Sequence, residues 1–251
     1  MIWENLGDNM DELSKFIKEN AELINNNDFN AVYLGSFFYS DLLRGKFTDV
    51  LYDAGIDPLK YLDITVPPYF AYNCKCLPKE LTVLSKVSEI GDNAFRGSNL
   101  QHINLPEGLK TISFNAFYEC EQLTEITVPK SVTEIGYAAF FGTSWYDKQP
   151  DGLLYINNIL HVYKGIMPNN MSITIRDGTV SISDGAFQYR GIKEITIPHS
   201  MKEIGKTAFR GCVSLEAVHY DGTIIEWNST LGSTEFDKMT RIICNDGEVY
   251  Q

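Results

Sequence analysis

Four histidines are the side chains of this sequence best suited to acid–base chemistry or metal binding, because imidazole titrates near neutral pH and is a common metal ligand. They are His102, His161, His199 and His219. In the repeat alignment given below, His102 and His219 lie about four or five coils apart. Since coils stack at about 4.8 Å, roughly 20 Å separates them. These two histidines cannot share a metal ion, and the sequence predicts no metal site.

The five cysteines predict reduced, structural thiols. Cys74, Cys76, Cys120, Cys212 and Cys244 are odd in number and scattered over a chain long enough to fold without disulfides. Cys74-x-Cys76 lacks the second pair that a zinc site needs. Cys120 and Cys212 each lie three residues after an Ala-Phe dipeptide. A cysteine at this position is either a small, partly buried structural residue or a nucleophile. Its recurrence in the repeat favours the structural interpretation.

Gly205-Lys206-Thr207 matches the end of a phosphate-binding loop, but Ser200 stands where that loop requires glycine. The triplet occupies the same repeat position as Gly91-Asp92-Asn93, which predicts a turn. The motifs GxSxG, HExxH, GxGxxG and the EF-hand loop are absent from the sequence. The sequence therefore predicts a protein that is not an enzyme and needs no cofactor.

Composition restricts the partners and the location. The chain has 251 residues, of which 44% are hydrophobic, and a net charge of -12, which repels phosphate backbones and anionic lipids. We expect no nucleic acid partner and no membrane insertion; a protein partner fits best and a neutral glycan is possible. Residues 1–10 carry acidic side chains and no apolar region follows them, so we expect a cytoplasmic protein without a signal peptide.

A repeat of 22 to 23 residues organises most of the chain. An Ala-Phe dipeptide recurs with spacings of 22, 23, 47 and 22, and the long gap is close to two units. Each unit opens with a strand of the form Leu-x-x-Ile-x-Ile, ended by proline. The phenylalanines are Phe95, Phe117, Phe140, Phe187 and Phe209, and the predicted strands include Leu100–Leu105, Leu123–Val128 and Ile192–Ile197.

Units this short bury their apolar face only by stacking on one another. The period therefore predicts an α+β fold: a right-handed parallel solenoid of about seven coils, with parallel strands along one side. A second extended stretch in each coil ends in the buried Ala-Phe.

The pattern IPxxVxxIGxxAFxxC resembles the leucine-rich repeats of BspA-like bacterial surface proteins. The resemblance covers about residues 77–251, and residues 220–251 resemble the closing unit of that family. It implies a leucine-rich-repeat solenoid over 77–251, with a C-terminal capping unit at 220–251. It also implies a binding module, of a kind often found on cell surfaces.

Residues 141–167 break the repeat and are rich in aromatic side chains, among them Trp145 and Tyr146. Asn157-Asn158 between two apolar stretches predicts a β-hairpin turn. We expect an irregular hairpin unit here, which could project from the solenoid.

Residues 1–70 differ in kind from the repeats. Leu6, Met10, Leu13, Ile17 and Ile24 recur at helical spacing to about residue 25, and a second helix is predicted from about Ser36 to Asp53. The first coil of a solenoid would otherwise expose its core, so we expect a helical N-terminal cap domain; an independent functional domain is the alternative.

Two surfaces compete as the partner-binding site. Polar side chains recur at the same positions of successive strands, either as an ordinary solvated face or as a ladder of hydrogen-bonding groups for an extended partner. Trp145 and Tyr146 offer aromatic anchors, although Trp145 could simply fill the irregular coil. The candidate residues are Glu80, His102, Asn104, Glu125, Thr127, Trp145, Tyr146, Thr174, Glu194 and Thr196.

The sequence therefore predicts a non-enzymatic module that binds another protein through the strand face or the aromatic hairpin. One alternative is an exported or virion-displayed adhesin that binds a host receptor or glycan, which would place the protein at a cell surface or virion. A hydrolase using His161 or Cys212 is the weakest alternative. The oligomeric state stays open.

Overall fold

The computed structural model of the protein describes residues 10–19, 41–62 and 64–251. These residues form two compact units. The N-terminal unit comprises the described residues up to Val132 together with Ala138–Lys148, and the C-terminal unit comprises Thr133–Tyr137 together with Gln149–Gln251. The described residues of the two units contain about 8 turns of parallel β-solenoid in all, one more than the repeats predicted.

Helices begin the N-terminal unit, as the helical spacing predicted. Helix α2 buries Phe47 and Leu51, and Lys18 of α1 forms an ion pair with Asp53 of α2. The predicted extensions, to about residue 25 and back to about residue 36, lie outside the described residues. The helices that the structure describes here are α1 (Met10–Glu19), α2 (Asp41–Asp53) and a 3-10 turn (Pro58–Tyr61).

Helix α2 is joined to the first coil through one carboxylate. Asp49 Oδ1 accepts hydrogen bonds from the Cys74 thiol at 2.8 Å and from the backbone N–H groups of Lys75 at 2.7 Å and Cys76 at 2.9 Å. The Thr48 hydroxyl donates a hydrogen bond to the carbonyl oxygen of Phe70. Such contacts are those expected of a helix that covers the open end of a solenoid.

The strands of the N-terminal unit are short, parallel and in register. Leu81 of one strand pairs with Ile103 of the next, and both side chains are buried while their neighbours point to solvent. This period-two pattern is the one that the sequence predicted. The strands are β1 (Thr65–Val66), β3 (Glu89–Ile90) and β5 (Thr111–Ile112) in one sheet, and β2 (Glu80–Thr82) and β4 (His102–Asn104) in the other.

No strand forms at 123–128, although one was predicted there. A helical turn, α3 (Ser144–Asp147), lies against this segment instead, and the backbone N–H of Trp145 donates to the carbonyl of Leu123 at 2.8 Å. The Thr143 hydroxyl caps α3 by accepting from Tyr146 N–H at 3.0 Å. The backbone of 123–128 therefore meets a helical turn where a regular coil would offer a strand.

The predicted phenylalanine column forms the core of both units. In the N-terminal unit, Phe95, Phe117 and Phe140 stack with centroids 5.4 and 5.6 Å apart and planes within 5° of parallel. In the C-terminal unit, Phe187 and Phe209 stack at 5.7 Å. Two further rings extend these columns: Phe70 lies 5.8 Å from Phe95, and Phe236 lies 5.5 Å from Phe209.

The C-terminal unit contains a short-strand sheet and a longer, largely parallel sheet. The longer sheet has the order β15-β14-β13-β11-β9, and only its last pair, β14 with β15, is antiparallel. The strands are β6 (Glu134–Ile135), β7 (Gly152–Ile156), β8 (Ile159–Lys164), β9 (Met171–Thr174), β10 (Ser181–Ile182), β11 (Ile192–Ile197), β12 (Glu203–Ile204), β13 (Ala217–Tyr220), β14 (Arg241–Cys244) and β15 (Gly247–Tyr250).

The hairpin at Asn157-Asn158 does not project. Strands β7 and β8 pair in antiparallel fashion around the turn, and Asn157 adopts a positive φ of 52°. Strand β8 also pairs in parallel with β10, so that Ile159 faces Ser181. Because five consecutive side chains of β8 are buried, the hairpin supplies a rung of the solenoid.

The C-terminal end is closed by a helix and by a strand of reversed direction. Trp227 is fully buried, packs edge-on against Tyr220, and donates from Nε1 to Gln251 Oε1 at 2.9 Å. Trp227 therefore covers the last coils. The remaining elements are α4 (Ile224–Glu226) and a π-helical turn (Trp227–Leu231).

Candidate functional site

The predicted face of the N-terminal unit is a solvated surface whose polar groups bond to one another. Asn104 Nδ2 donates to Glu80 Oε1 at 2.9 Å and to Thr82 Oγ1 at 3.3 Å, across the rung between β2 and β4. His102 is exposed beside them. Because these hydrogen-bonding groups have partners on neighbouring strands, they offer few free ones to a ligand.

Glu125 and Thr127 are exposed, but they lie in the segment that forms no strand. Their side chains therefore do not continue a regular ladder from β4. Nearby, Gln101 Nε2 donates to Gln122 Oε1 at 3.0 Å, which again links one coil to the next.

Trp145 and Tyr146 lie on α3 and not on the hairpin. Both are half-buried: the Trp145 ring packs edge-on against Phe140 at 5.2 Å, and the Tyr146 ring packs against Phe141 at 4.8 Å. Their aromatic area is therefore used largely in packing, and the interpretation of Trp145 as filling the irregular coil agrees with this geometry.

The strand face of the C-terminal unit contains a groove of about 300 Å³. Across its floor, Thr174 of β9 pairs with Thr196 of β11, and Thr196 pairs with His219 of β13. Ile243 of β14 stands opposite His219 and completes a row across four strands. The structure thus brings together two predicted residues, Thr174 and Thr196, and adds His219 to their row.

Polar side chains at the carboxyl ends of the strands form the rim of the groove. Asp177 and Asp221 line it, and Asn245 Nδ2 donates to Asp221 Oδ1 at 3.4 Å. Glu194, the third predicted residue in this unit, lies on β11 with Oε2 3.7 Å from His219 Nε2. Within the parts of the chain that the structure describes, no hydrogen bond reaches the hydroxyl of Thr174 or Thr196.

Rigid packing holds the groove in shape. Backbone N–H groups of Ile175 and Asp221 donate to the carbonyls of Thr196 and Ile197 at 3.0 Å each, which ties the strand ends together. Tyr220, which also lines the groove, packs against buried Trp227, and burial followed by the nearby Glu226 charge raises the pKa of the tyrosine. Its hydroxyl therefore remains protonated at neutral pH.

A second cavity, of about 270 Å³, lies on the short-strand side of the C-terminal unit. It is rich in hydroxyl groups, but several of them are already bonded within the protein. Ser181 Oγ donates to the Thr133 carbonyl at 3.2 Å, and Thr234 Oγ1 donates to the Leu231 carbonyl at 2.7 Å. This cavity is a weaker candidate than the strand-face groove.

The cysteines in the repeat are structural. Cys120 Sγ donates to the Phe95 carbonyl at 2.9 Å, and Cys212 Sγ donates to the Phe187 carbonyl at 3.0 Å, each one coil away. Burial raises the pKa of both thiols to about 11. A thiol that is buried, hydrogen-bonded and protonated at neutral pH is a poor nucleophile.

The remaining candidates for chemistry also serve the fold. His161 is fully buried on β8, and burial lowers its pKa to about 4. Thr207, at the end of the Gly-Lys-Thr triplet, donates to Asp184 Oδ1 through its backbone N–H at 3.1 Å and through its hydroxyl at 3.2 Å, which holds a turn. Over residues 10–19, 41–62 and 64–251, no three His, Cys, Asp or Glu side chains are grouped to hold a metal ion.

Among the helices that the structure describes, none is long and apolar enough to cross a membrane.

Stacked parallel coils with one recurring set of apolar columns define a leucine-rich-repeat solenoid. The chain belongs to the family described as BspA type leucine rich repeat region, whose model matches residues 64–149 and 162–243 in six copies. None of the curated proteins matches the chain.

Solved structures of bacterial leucine-rich repeat proteins are similar to this chain. The leucine rich repeat protein of T. pallidum is 24% identical, with 62% of this chain and 51% of that chain covered and a TM-score of 0.29. A leucine-rich repeat protein of Eubacterium ventriosum is 20% identical, with 73% and 64% covered and a TM-score of 0.35. A leucine rich cell surface protein of Faecalibacterium prausnitzii is 19% identical, with 64% of each chain covered and a TM-score of 0.28. The chain thus spans between about half and two thirds of these solved chains.

Proposed function

We propose that this chain is a non-enzymatic protein-recognition module whose partner binds the strand-face groove of the C-terminal unit. The observation that carries the proposal is the row of Thr174, Thr196 and His219 across three neighbouring strands. Its two threonine hydroxyls have hydrogen-bonding capacity left for a ligand, and backbone hydrogen bonds join the strands beneath them. A preorganised row of this kind lowers the entropy lost when an extended partner binds.

Two comparisons within the chain support the groove over the other predicted surfaces. On the N-terminal unit, Asn104 already bonds to Glu80 and Thr82, so binding there would break existing hydrogen bonds. On α3, Trp145 and Tyr146 pack against Phe140 and Phe141. The groove is concave, and the hydroxyls of Thr174 and Thr196 in it have hydrogen-bonding capacity left for a ligand.

The test is capture of a partner by the full chain, followed by the same capture with face variants. Thr174→Arg combined with Thr196→Arg places two long side chains in the groove and should reduce capture at least about tenfold, since steric and polar mismatches at an interface centre cost several kcal/mol. Thr82→Arg is the matched control, because Thr82 is an exposed threonine on the strand face of the N-terminal unit. It should leave capture unchanged.

Trp145→Ala separates the aromatic surface from the groove. Because Trp145 packs on Phe140, we expect a lower melting temperature by circular dichroism with capture retained. Equal capture by wild type and by the Thr174/Thr196 variant would contradict the proposed site, and captured material that resists protease but not glycosidase would contradict a protein partner.

A further inference from the structure

We propose that the partner segment in this groove is an extended, basic stretch of polypeptide with lysine or arginine side chains about three residues apart. This inference rests on the proposed function, because it names the chemistry of the partner at the same site. Three observations support it: the carboxylates at the rim of the groove, the contacts that already engage the neighbouring lysine and arginine side chains, and the spacing of the strands.

Carboxylates and not cations line the groove. Asp177 and Asp221 belong to its lining, which contains no lysine or arginine. Asp221 accepts one long hydrogen bond of 3.4 Å from Asn245, a neutral partner that leaves its charge uncompensated. A concave surface with uncompensated negative charge attracts a positively charged ligand.

Arg176, which directly precedes Asp177 in sequence, is turned away from the groove. The guanidinium of Arg176 lies 4.1 Å from the centroid of the Tyr155 ring and donates a hydrogen bond to the carbonyl of Asn157. Arg176 therefore stabilises the hairpin and does not neutralise Asp177, its neighbour in sequence.

The cations on the strands that flank the groove are likewise occupied. Lys193 lies 3.7 Å from Glu216, and Arg241 lies 3.9 Å from Glu248. Lys193 lies near the amino-terminal end of β11, and Arg241, at the amino-terminal end of β14, pairs with Glu248 of β15. The carboxyl ends of the strands, which Asp177 and Asp221 follow, therefore keep their negative charge.

The strand spacing sets the periodicity of the partner. Asp177 follows β9 and Asp221 follows β13, with β11 between them, so two rungs or about 10 Å separate them along the sheet. An extended polypeptide in the polyproline II conformation rises about 3.1 Å per residue with three residues per turn, so side chains three residues apart point the same way and span about the same distance. The hydroxyls of Thr174 and Thr196 can then bond to the peptide groups between the two basic side chains.

The experiment measures binding of defined peptides to the full chain by fluorescence anisotropy. The probe is a labelled peptide in which Lys-Ser-Ser is repeated four times, and its counterpart replaces each lysine with glutamate. We expect only the lysine peptide to bind, with an affinity that falls as salt is raised from about 50 to 500 mM because screening weakens charge attraction. Absence of binding by the lysine peptide at low salt would overturn the inference.

A pair of charge variants tells site binding from simple attraction to an acidic protein. Asp177→Asn with Asp221→Asn should weaken the lysine peptide about tenfold, as expected for the loss of two ion pairs. Glu107→Gln with Glu121→Gln removes the same charge from exposed positions of the N-terminal unit and should change affinity less than about twofold. Equal losses in the two variants would mean that net charge alone binds the peptide, which contradicts the inference.

The inference and the proposed function fail separately. If Thr174→Arg with Thr196→Arg abolishes capture of the partner while the aspartate variant captures it normally, the groove binds a partner of different charge and only the inference is wrong. If the threonine variant captures normally, the proposed function itself is wrong. Each variant is checked by its circular dichroism melt, and Asp177→Asn alone replaces the double variant if the latter does not fold.

Discussion

Asp49 Oδ1 accepts a hydrogen bond from the backbone N–H of Cys76 at 2.9 Å, across 27 positions of sequence. The same oxygen also accepts from Lys75 N–H and from the Cys74 thiol. Burial, and after it the hydrogen bond to Asp49, raises the pKa of the Cys74 thiol, which therefore stays protonated as the donor. One carboxylate thus connects helix α2 to the start of the repeats.

Replacing Asp49 should loosen the attachment of helix α2 to the first coil. Asp49→Ala removes the acceptor of three hydrogen bonds, and because charge-assisted bonds are stronger than neutral ones, we expect a loss of about 2 kcal/mol in the free energy of unfolding. Urea denaturation followed by circular dichroism measures it. The control is Asp53→Asn on the same helix, whose exposed ion pair with Lys18 should be worth about 0.5 kcal/mol or less. Equal effects would contradict a capping role for Asp49.

Replacing Phe117 should be costly, because it is the middle ring of the phenylalanine column of the N-terminal unit. Its ring is fully buried between Phe95 and Phe140, so Phe117→Ala leaves a cavity in the middle of the column and should lower the free energy of unfolding by about 3 to 5 kcal/mol. Phe114→Ala, three residues earlier, removes a ring that is 44% exposed and should cost about 1 kcal/mol. Chemical denaturation of the two variants side by side measures the difference, and similar costs would mean that the stacked column adds little.

Ala138 offers a stabilising substitution. It has a positive φ of 54°, and the equivalent positions of the two preceding repeats are Asn93 and Asn115, with φ of 55° and 53°. Asparagine tolerates this left-handed conformation better than alanine. Asn115 Nδ2 donates to Asn93 Oδ1 at 3.4 Å, and Ala138→Asn would extend that ladder. We expect a gain of about 0.5 to 1 kcal/mol by thermal denaturation, whereas Ala138→Val should destabilise because β-branched residues avoid positive φ.

His161 should make stability depend on pH. Burial lowers its pKa to about 4 in the folded protein, whereas an unfolded histidine titrates near 6.5. Between these values the unfolded chain binds the proton and the folded chain does not, so acidification from pH 6.5 to 4 favours unfolding. The effect is about 3 kcal/mol in total, is absent above pH 6.5 and grows no further below pH 4.

The measurement is the free energy of unfolding at several pH values for wild type and for His161→Asn, whose amide can bond to Ser183 in place of Nδ1. The variant should lose this part of the slope between pH 6.5 and 4. Parallel curves for the two proteins would show that another group causes any acid sensitivity.

The repeat made the core of the fold predictable from sequence, because each coil buries the same columns. Phe70 and Phe236 were missed because neither follows alanine, yet Phe70 packs edge-on against Phe95 and Phe236 stacks on Phe209. The strand predicted at 123–128 does not form, and the backbone N–H of Trp145, in a helical turn, is hydrogen-bonded to the Leu123 carbonyl. A parallel sheet requires a partner strand, and the hydrophobic period of one segment does not show whether such a partner is present.

The candidate site was predictable only in part. Thr174 and Thr196 were found because each precedes a recognisable Phe position by thirteen residues. His219 occupies the same row, but no Ala-Phe follows it by thirteen residues, so the spacing that identified the two threonines did not mark it as part of the face. Asp177 and Asp221 follow the ends of strands, and their proximity depends on the stacking of coils that carry turns of unequal length.

The phenylalanine column has a further consequence for how such a protein can evolve. Phe95, Phe117 and Phe140 present nearly parallel rings at nearly equal distances, so the upper and lower surfaces of successive coils are interchangeable. Duplication or excision of one whole period would rejoin matching surfaces, whereas an insertion of a few residues inside a coil would not. Chain length in the regular part can therefore change in steps of one coil, and the reach of a binding face along the sheet would change in the same steps of about 4.8 Å.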